Sequence, residues 1–480
     1  MYLIVLQSFS PTASARTIIV PTNYPDIQSA INAASSGDVI TVFDGVYRGF
    51  KVTKSVVILG SSPNDVIING TVEIYASNVR LSSMKIVLNT SDPKSSAIMV
   101  FGQDVLLGNL VIESGGYGVY VGNVSYTNST LNIEYTTINA SSGGIGGLIS
   151  SLHVYLSTIK TVKGRGIEGA TYLELQNSTV LTSSESPAIV TRFGGRASIS
   201  YSELSSNGPA VYLSSSRDSV VVNNKLVGDV GIYLDHGASN YLFKNIILSN
   251  SIGIHVLNSK GNLIEGNTIS SRQYSIRLQG GDENIISYNE LSGGRGVETG
   301  PAYRNTIAFN FINRTGSIGI FMSKYTGGNV IYGNTFWHCY NYNAADESGE
   351  NLWYFENETS KVGNYWYDHT SPDSNSDGIV DVPYYIATTL DKKIIDKYPL
   401  AKPIFYPMLT PSPTTSPPLT TPIQTPTPTT SITLTTSAQT SSPAYTTTTP
   451  VSSGESLPIY LVLAPLALII ALVLFLKFRR

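Results

Sequence analysis

A phrase of about 22 residues recurs five times between Gly231 and Phe336, and it constrains the fold more than any other feature of the chain. Successive copies begin at steps of 22, 22, 21 and 23 residues, and each opens with a small residue followed by Ile or Val. The opening residues are Gly231, Gly253, Ser275, Gly296 and Gly319. A unit this short cannot bury a core of its own, so the copies are predicted to stack as the coils of a solenoid.

Three short apolar segments in each copy predict three strands per coil. The columns they form on stacking are Ile232, Ile254, Ile276, Val297 and Ile320; Leu242, Ile264, Ile286, Ile307 and Ile331; and Ile247, Ile269, Leu291, Ile312 and Phe336. Each copy also carries two Asn residues that flank the middle apolar position. The second of them is predicted to form a hydrogen-bonded ladder along the solenoid, through Asn245, Asn267, Asn289, Asn310 and Asn334.

The same phrase extends towards the N-terminus, at steps mostly of 21 or 22 residues with one longer step of 26 between Gly118 and Gly144. Its earlier starting residues are Ala97, Gly118, Gly144, Gly166, Ala188 and Ala210. We therefore expect an all-β solenoid of about 22 residues per coil over residues 50–360.

Residues 16–49 are predicted to cap this solenoid. Ile27, Ala30, Ile31 and Ala34 follow the spacing of a short amphipathic helix, and the segments 39–42 and 45–47 begin strands. A terminal helix of this kind covers the apolar core and the strand edges that an uncapped coil exposes.

Composition excludes several classes of protein. The net charge is −3 and only 13% of residues are charged, which argues against a nucleic-acid-binding surface. Cys339 is the single cysteine, so an intramolecular disulfide framework and a cysteine-based zinc site are both excluded.

Both ends of the chain predict export and anchoring. Residues 1–15 have an apolar run and an Ala-Ser-Ala ending typical of a secretion signal, although no basic residue precedes the run. Residues 406–456 are rich in Thr, Pro and Ser and predict an extended stalk. Residues 457–476 are long and apolar enough for one transmembrane helix, and the basic tail 477–480 predicts a cytoplasmic C-terminus.

Eight N-x-S/T sequons are compatible with an exported, glycosylated protein that has its large N-terminal part outside the cell. Their Asn residues are Asn69, Asn89, Asn123, Asn128, Asn139, Asn177, Asn313 and Asn357.

An acidic loop predicts a structural calcium site. The oxygen ligands expected at alternate positions of a calcium loop are Asp373, Asn375, Asp377, the backbone carbonyl of Ile379, and Asp381. Gly378 supplies the sharp turn, but Tyr384 stands where the bidentate Glu of an EF-hand is expected. The sequence thus predicts a partial calcium-stabilised turn, with a solvated acidic turn as the alternative.

The segment 361–405 carries a resemblance to a known family. Gly363-Asn364-Tyr365-Trp366-Tyr367-Asp368, Asp381-Val382-Pro383-Tyr384 and Asp396-Lys397-Tyr398-Pro399-Leu400 resemble the C-terminal signature of NosD-like proteins. Together with the Ile27-Gln28-Ser29-Ala30-Ile31 cap, they resemble the pectin-lyase-like group, which implies a right-handed parallel β-helix. The family is named for a factor in nitrous-oxide reductase maturation. A copper site would draw on His338, Cys339 and His369, although no histidine pair has a metal-ligand spacing.

The outward column beside the first apolar column is the best surface candidate for a ligand. Side chains alternate along a strand, so the residues next to the buried Ile and Val positions point outwards. The ligand-binding candidates are Tyr212, Tyr233, Asp235, His255, Arg277 and Phe321, and the catalytic candidates are His255, Arg277 and Glu298. A surface ion pair between Arg277 and Glu298 beside stacked aromatic rings is the alternative interpretation.

Three functions follow from these patterns. The first is non-enzymatic recognition of glycans or envelope proteins at a cell surface. The second is a polysaccharide lyase or hydrolase acting through the outward column. A paired-carboxylate hydrolase is disfavoured, since Asp235 and Glu298 lie three coils apart, or about 14 Å. The third is a metal-delivery accessory protein, as the family resemblance implies.

Overall fold

The structure, a computed structural model, describes residues 15–122 and 129–405. The predicted secretion signal, apart from Ala15, the stalk, the transmembrane segment and the sequons at Asn123 and Asn128 lie outside the described residues. Within the described ranges, no helix is both long and apolar enough to cross a bilayer.

Three parallel sheets run along the solenoid, and each coil contributes one strand to each sheet. The first sheet contains Thr17–Val20, Val39–Val42, Val57–Gly60, Thr130–Glu134, Ile149–Tyr155, Ala170–Gln176, Arg196–Ser200, Val220–Val222, Tyr241–Phe243, Leu263–Glu265, Ile285–Ser287, Thr306–Ala308 and Val330–Tyr332. The second contains Gly45–Arg48, Val66–Asn69, Thr137–Ala140, Thr158–Thr161, Thr179–Thr182, Glu203–Ser205, Phe311–Thr315, Thr335–Trp337 and Tyr365–Trp366. The third contains Lys51–Val52, Val72–Ile74, Ser96–Val100, Tyr117–Val121, Gly143–Gly147, Ile167–Glu168, Ile189–Val190, Pro209–Ser214, Ile318–Met322 and Tyr342–Asp346.

Six longer strands pass from one sheet to the next. Arg80–Leu88 and Val105–Ser114 join the first sheet to the second. The second and third sheets share Lys225–Asp235, Ile246–Leu257, Thr268–Gln279 and Glu290–Thr299. Three short strand pairs lie outside these three sheets: Ala302–Tyr303 with Thr326–Gly327, Phe355–Glu356 with Lys361–Val362, and Tyr384–Tyr385 with Ile395–Asp396.

The core is the set of apolar columns that the repeat predicts. All three predicted columns are fully buried, and the register pairs each member with its equivalent one coil away. Burial of a whole Ile or Leu side chain stabilises a fold by roughly 1.5–3 kcal/mol, so the columns supply most of the driving force for stacking.

The bend between the first and second sheets has one backbone conformation in the twelve successive coils from Ser83 to Gly333. A residue with positive φ comes first and a buried residue follows it. The positive-φ residues are Ser83, Asn109, Tyr135, Leu156, Asn177, Tyr201, Asn223, Lys244, Gly266, Tyr288, Phe309 and Gly333. Bulky side chains rarely adopt this conformation, so the stacked strands on either side determine it.

Two Asn ladders run along the bends. The predicted ladder lies at the bend between the first and second sheets, where the backbone N–H of Asn245 and its Nδ2 both donate to Oδ1 of Asn267, at 3.0 and 2.9 Å. The first Asn of each copy forms a second ladder at the bend between the third and first sheets, as in the 3.0 Å bond from Asn240 Nδ2 to Asn262 Oδ1. The repeat predicted only the first of these ladders.

The N-terminal cap is the helix Ile27–Ala33, as the sequence predicts. The carboxylate of Asp26 caps it by accepting the backbone N–H of Ser29 at 2.7 Å. Ile27, Ala30 and Ile31 are buried against the first coils, so the helix covers the end of the core.

The C-terminal end is closed by two buried Asp residues, each at the end of an Asn ladder. Asp396 accepts the backbone N–H of Asn364 at 2.6 Å and the indole N–H of Trp366 at 2.9 Å. Asp346 accepts the side-chain amide of Asn351 and, at 3.0 Å, the indole N–H of Trp353. The last amides of the ladders and two buried indoles are satisfied together.

Candidate functional site

The predicted outward column is present in the third sheet. Register places Tyr212, Tyr233, His255, Arg277, Glu298 and Phe321 in one line, one residue per coil. Asp235, Leu257 and Gln279 form the neighbouring outward column. The alternation inferred from the sequence is confirmed for this face.

The aromatic rings of the column stack on one another. The ring centroids of Tyr212 and Tyr233 are 5.0 Å apart, and those of Tyr233 and His255 are 4.7 Å apart with planes only 7° from parallel. Both faces of the Tyr233 ring are therefore covered by neighbours. A ligand meets ring edges here rather than the open platforms that the sequence suggested.

Polar groups of the column are mostly engaged within the sheet. The Tyr212 hydroxyl donates to Asp235 at 2.8 Å, and Nε2 of His255 lies 2.8 Å from the amide oxygen of Gln279. Burial lowers the pKa of His255, which favours its neutral imidazole.

The charged residues of the column do not form the ion pair between Arg277 and Glu298 that the sequence offered as an alternative. Glu298 forms its ion pair with Arg295, three residues earlier on the same strand, and not with Arg277. Arg277 instead lies over the ring of Tyr274, at 5.0 Å from the centroid, and its Nε has no hydrogen-bond partner within the described part of the chain. Direct register between Arg277 and Glu298 did not produce a pair, because Arg295 offers Glu298 a closer partner.

The acidic loop is held by its own hydrogen bonds. The carboxylate of Asp373 accepts the backbone N–H groups of Asp377 and Gly378, and Asp381 accepts that of Ser374. Across residues 15–122 and 129–405, no three His, Cys, Asp or Glu side chains are close enough together to hold a metal ion. Calcium binding by Asp373, Asn375, Asp377, Ile379 and Asp381 stays a prediction.

The copper candidates lie near the C-terminal end of the solenoid. His338 packs on the ring of Tyr367, and burial raises the pKa of the Cys339 thiol, which favours its protonated form. The Nε2 atom of His369 is 2.8 Å from the carbonyl oxygen of Val382. His338 and His369 thus have separate partners.

A cavity of about 680 Å³ opens beside these residues, between the strand Tyr342–Asp346 and the segment that follows the solenoid. Tyr340, Tyr342 and Tyr385 border it and are 82%, 56% and 57% exposed. Unlike the rings of the outward column, these rings keep much of their surface accessible to a ligand.

The polar floor of the cavity is a connected network. Nδ2 of Asn343 donates to Asp368 at 2.7 Å and lies 3.2 Å from the hydroxyl of Tyr384, which itself donates to Asp368 at 3.2 Å. Burial raises the pKa of Tyr384, so its hydroxyl keeps its proton. The cavity therefore combines exposed aromatic rings with amide, carboxylate and phenol groups.

No periodic pattern in the sequence indicates this cavity. Its residues come from 338–344, 367–368 and 384–394, which lie at or beyond the end of the 22-residue repeat. Periodicity aligns residues one coil apart, but it does not bring together segments of irregular spacing. The only signal was the family-like motif around Asp368 and Tyr384.

Two sequence-family models match the chain. One is described as "Periplasmic copper-binding protein (NosD)" and matches residues 173–371, and the other, "Right handed beta helix region", matches residues 64–269. No curated protein matches the chain closely enough to count as a relative.

Several solved structures are similar over much of the chain at low identity. Tailspike protein 3 of bacteriophage CBA120 is 14% identical, with 80% of this chain and 69% of that chain covered and a TM-score of 0.43. A PL6 alginate lyase in complex with a trisaccharide is 10% identical, with 72% and 91% covered and a TM-score of 0.42. DFA-IIIase from Arthrobacter chlorophenolicus A6, in complex with DFA-III, is 11% identical, with 71% and 96% covered and a TM-score of 0.40.

Proposed function

Since the chain is a NosD-like, pectin-lyase-like right-handed parallel β-helix protein, we propose that it is a carbohydrate-recognition protein that binds glycans without cleaving them. The fold alone does not select this function, because the same scaffold carries unrelated activities. The proposal is supported by the chemistry of the C-terminal cavity.

The observation that carries the proposal is the presence of exposed tyrosine rings around a polar floor. A sugar ring offers an apolar C–H face and a rim of hydroxyl groups. Tyr340, Tyr342 and Tyr385 suit the apolar face, and the amide of Asn343 and the carboxylate of Asp368 suit hydroxyl groups. A cleft with apolar walls and a few convergent polar groups is the usual form of a small-molecule site.

The outward column is proposed as a weaker, secondary contact surface. It offers the carboxylate of Asp235 and the amide of Gln279 on one face. Since its rings stack on each other, a glycan bound there would rely on hydrogen bonds more than on stacking.

We extend the proposal to location. The Thr/Pro/Ser-rich segment 406–456 and the apolar segment 457–476 support a recognition domain held away from a membrane on a stalk, with glycans or envelope proteins as its partners.

The test is glycan binding by the full-length protein and by variants in the cavity. We expect Tyr340→Ala to weaken binding at least about tenfold, as the loss of a stacked aromatic contact of about 1.5 kcal/mol implies. Phe193→Ala is the matched control, because Phe193 is 81% exposed and lies far along the chain from the cavity. Calorimetric titration of the glycans retained on an array gives the affinities.

Two results would count against the proposal. Equal binding by wild type, Tyr340→Ala and Tyr342→Ala would remove the cavity as the binding site. Release of shortened or unsaturated sugar products, lost in Glu298→Ala, would instead favour a polysaccharide lyase or hydrolase acting at His255, Arg277 and Glu298.

A further inference from the structure

Ser151, His153 and Glu174 form a hydrogen-bonded chain on the outer face of the first sheet. Ser151 and His153 are two residues apart on the strand Ile149–Tyr155, so both side chains point outwards. Glu174 lies directly across from His153 on the next coil. Oγ of Ser151 is 2.9 Å from Nε2 of His153, and Nδ1 of His153 is 2.9 Å from the carboxylate of Glu174.

The partners determine which imidazole nitrogen carries the proton. An ionised carboxylate only accepts hydrogen bonds, so Nδ1 of a neutral His153 carries the proton and donates it to Glu174. Nε2 is then the acceptor, and the hydroxyl of Ser151 donates to it. This is the arrangement of a nucleophile, a general base and an orienting acid.

The surroundings hold the imidazole in place but leave it reachable. The ring of His153 lies between those of Tyr155 and Tyr172, with centroid distances of 6.3 and 5.8 Å. Its side chain is 22% exposed and that of Glu174 is 33% exposed. Burial, followed by the nearby Glu174 carboxylate, raises the pKa of Tyr155 to about 12, so the phenol stays protonated beside the ionised acid.

We propose that Ser151 is the nucleophile of an acyl-transfer site that hydrolyses esters of small carboxylic acids. His153 is the general base and Glu174 is the positioning residue. Asn132 lies across from His153 on the preceding coil, so its side chain is on the same outer face. This activity goes beyond glycan recognition and does not depend on it.

The chemistry requires only the ester and water. Oγ of Ser151 attacks the carbonyl carbon while its proton moves to Nε2 of His153. The bond to the alcohol oxygen then breaks, and His153 returns the proton to that leaving oxygen. Water attacks the resulting acyl-Ser151 with His153 again as the base, the bond from Oγ to the acyl carbon breaks, and the acid leaves as Ser151 regains a proton.

The strand pattern explains why the sequence alone does not indicate this site. A Ser and a His two residues apart are unremarkable in a chain rich in Ser, and the Glu follows 21 residues after the His. Only the coil register, which sets Glu174 beside His153, turns these three residues into a connected group.

The test combines hydrolysis of p-nitrophenyl acetate with covalent labelling by a fluorophosphonate, using the full-length protein. We expect the label on Ser151, located by mass spectrometry, and at least about a 100-fold loss of hydrolysis in Ser151→Ala. Ser200→Ala is the matched control, since Ser200 lies on the outer face of the same sheet and is also half-buried. Its hydrolysis should match that of wild type.

The variant Glu174→Gln tests whether Glu174 orients His153 for catalysis or only supports the fold. Loss of the orienting carboxylate should lower kcat at least about tenfold and leave KM within about twofold, with an unchanged melting temperature. Absence of labelling and hydrolysis in folded wild type, labelling at another residue, or full hydrolysis in Ser151→Ala would each overturn the proposal.

Discussion

The bend between the first and second sheets is built with Ser and Thr in one half of the solenoid and with Asn in the other. From the coil of Thr136 onwards, four coils have Thr136, Ser157, Ser178 and Ser202 at this bend, and the next six have Asn224, Asn245, Asn267, Asn289, Asn310 and Asn334. In both halves a backbone N–H donates to the side-chain oxygen one coil further on. The two halves differ in what else the side chain does.

A serine connects its own coil to the coil before it. The hydroxyl of Ser178 donates to the carbonyl of Gln176 at 2.9 Å and accepts the backbone N–H of Ser157 at 3.1 Å. An asparagine connects three coils. Nδ2 of Asn267 donates to Asn289 at 3.0 Å and to the carbonyl of Leu242 at 2.9 Å, while its Oδ1 accepts from Asn245.

The backbone of the bend does not depend on this chemistry. Ser83 and Asn109 have the same positive φ as their equivalents, yet the apolar residues Met84 and Leu110 follow them. The bend geometry is therefore set by the stacked strands, and the polar ladder sets how strongly neighbouring coils are coupled.

The largest loss of folding stability is expected from Asn267→Ala. The substitution removes the acceptor of the backbone N–H of Asn245 and of one Nδ2 hydrogen of that residue inside the core. It also removes the Nδ2 donor to Asn289 and Leu242. At roughly 1–3 kcal/mol for each buried group left unsatisfied, we expect a loss of about 4 kcal/mol in the free energy of unfolding, measured by chemical denaturation. Hydrogen exchange should show lost protection in the coils on both sides. A loss confined to one neighbouring coil would contradict the three-coil connection.

A change of pH is expected to have an intermediate effect on the free energy of unfolding. This effect arises only at the C-terminal end of the solenoid, where Asp396 lies. Burial raises the pKa of Asp396 to about 6, from 3.8 in the unfolded chain. The folded state thus binds this proton more tightly, so its contribution to stability is greatest below about pH 4 and falls by about 3 kcal/mol as pH rises through 6.

The measurement is the difference in unfolding free energy between wild type and Asp396→Asn from pH 4 to 7. This difference should change with pH, because only the wild type has the titrating carboxyl. Amides near Asn364 should change their exchange rates with pH more than those near Ser157. A difference that is constant with pH would show that Asp396 does not titrate in this range.

The smallest loss of folding stability is expected from Ser178→Ala. The backbone N–H of Ser157 loses its acceptor, but no other coil is affected. We expect a loss of about 1–2 kcal/mol in the same denaturation experiment, because only one buried donor is left unsatisfied. If this variant is destabilised as much as Asn267→Ala, then Asn does not couple neighbouring coils more strongly than Ser.

Much of the solenoid was predictable because it repeats. The apolar columns, the capping helix at Ile27–Ala33 and the ladder through Asn245 all follow from positions that recur at a fixed step. The Ser/Thr half of the ladder was not predicted, since Ser and Thr are common throughout the chain and a recurring Ser carries little signal.

The sites were less predictable because they depend on exceptions to the repeat. The outward column was located correctly, but the stacking of Tyr233 between Tyr212 and His255, and the pairing of Glu298 with Arg295, depend on side-chain rotamers. The cavity near Asp368 depends on how an irregular segment folds back on the last coil, for which no period gives a rule.

Because the coils stack uniformly, whole coils can be added to or removed from the protein during evolution. Residues 246–267 form one complete turn, and their removal would join Asn245 to Thr268, which stands in register with Ile246. Both ladders and all three apolar columns would close across the junction. Recombination between copies can therefore lengthen or shorten the protein by one coil, about 4.8 Å, at a time, while the N-terminal cap and the C-terminal cavity remain intact.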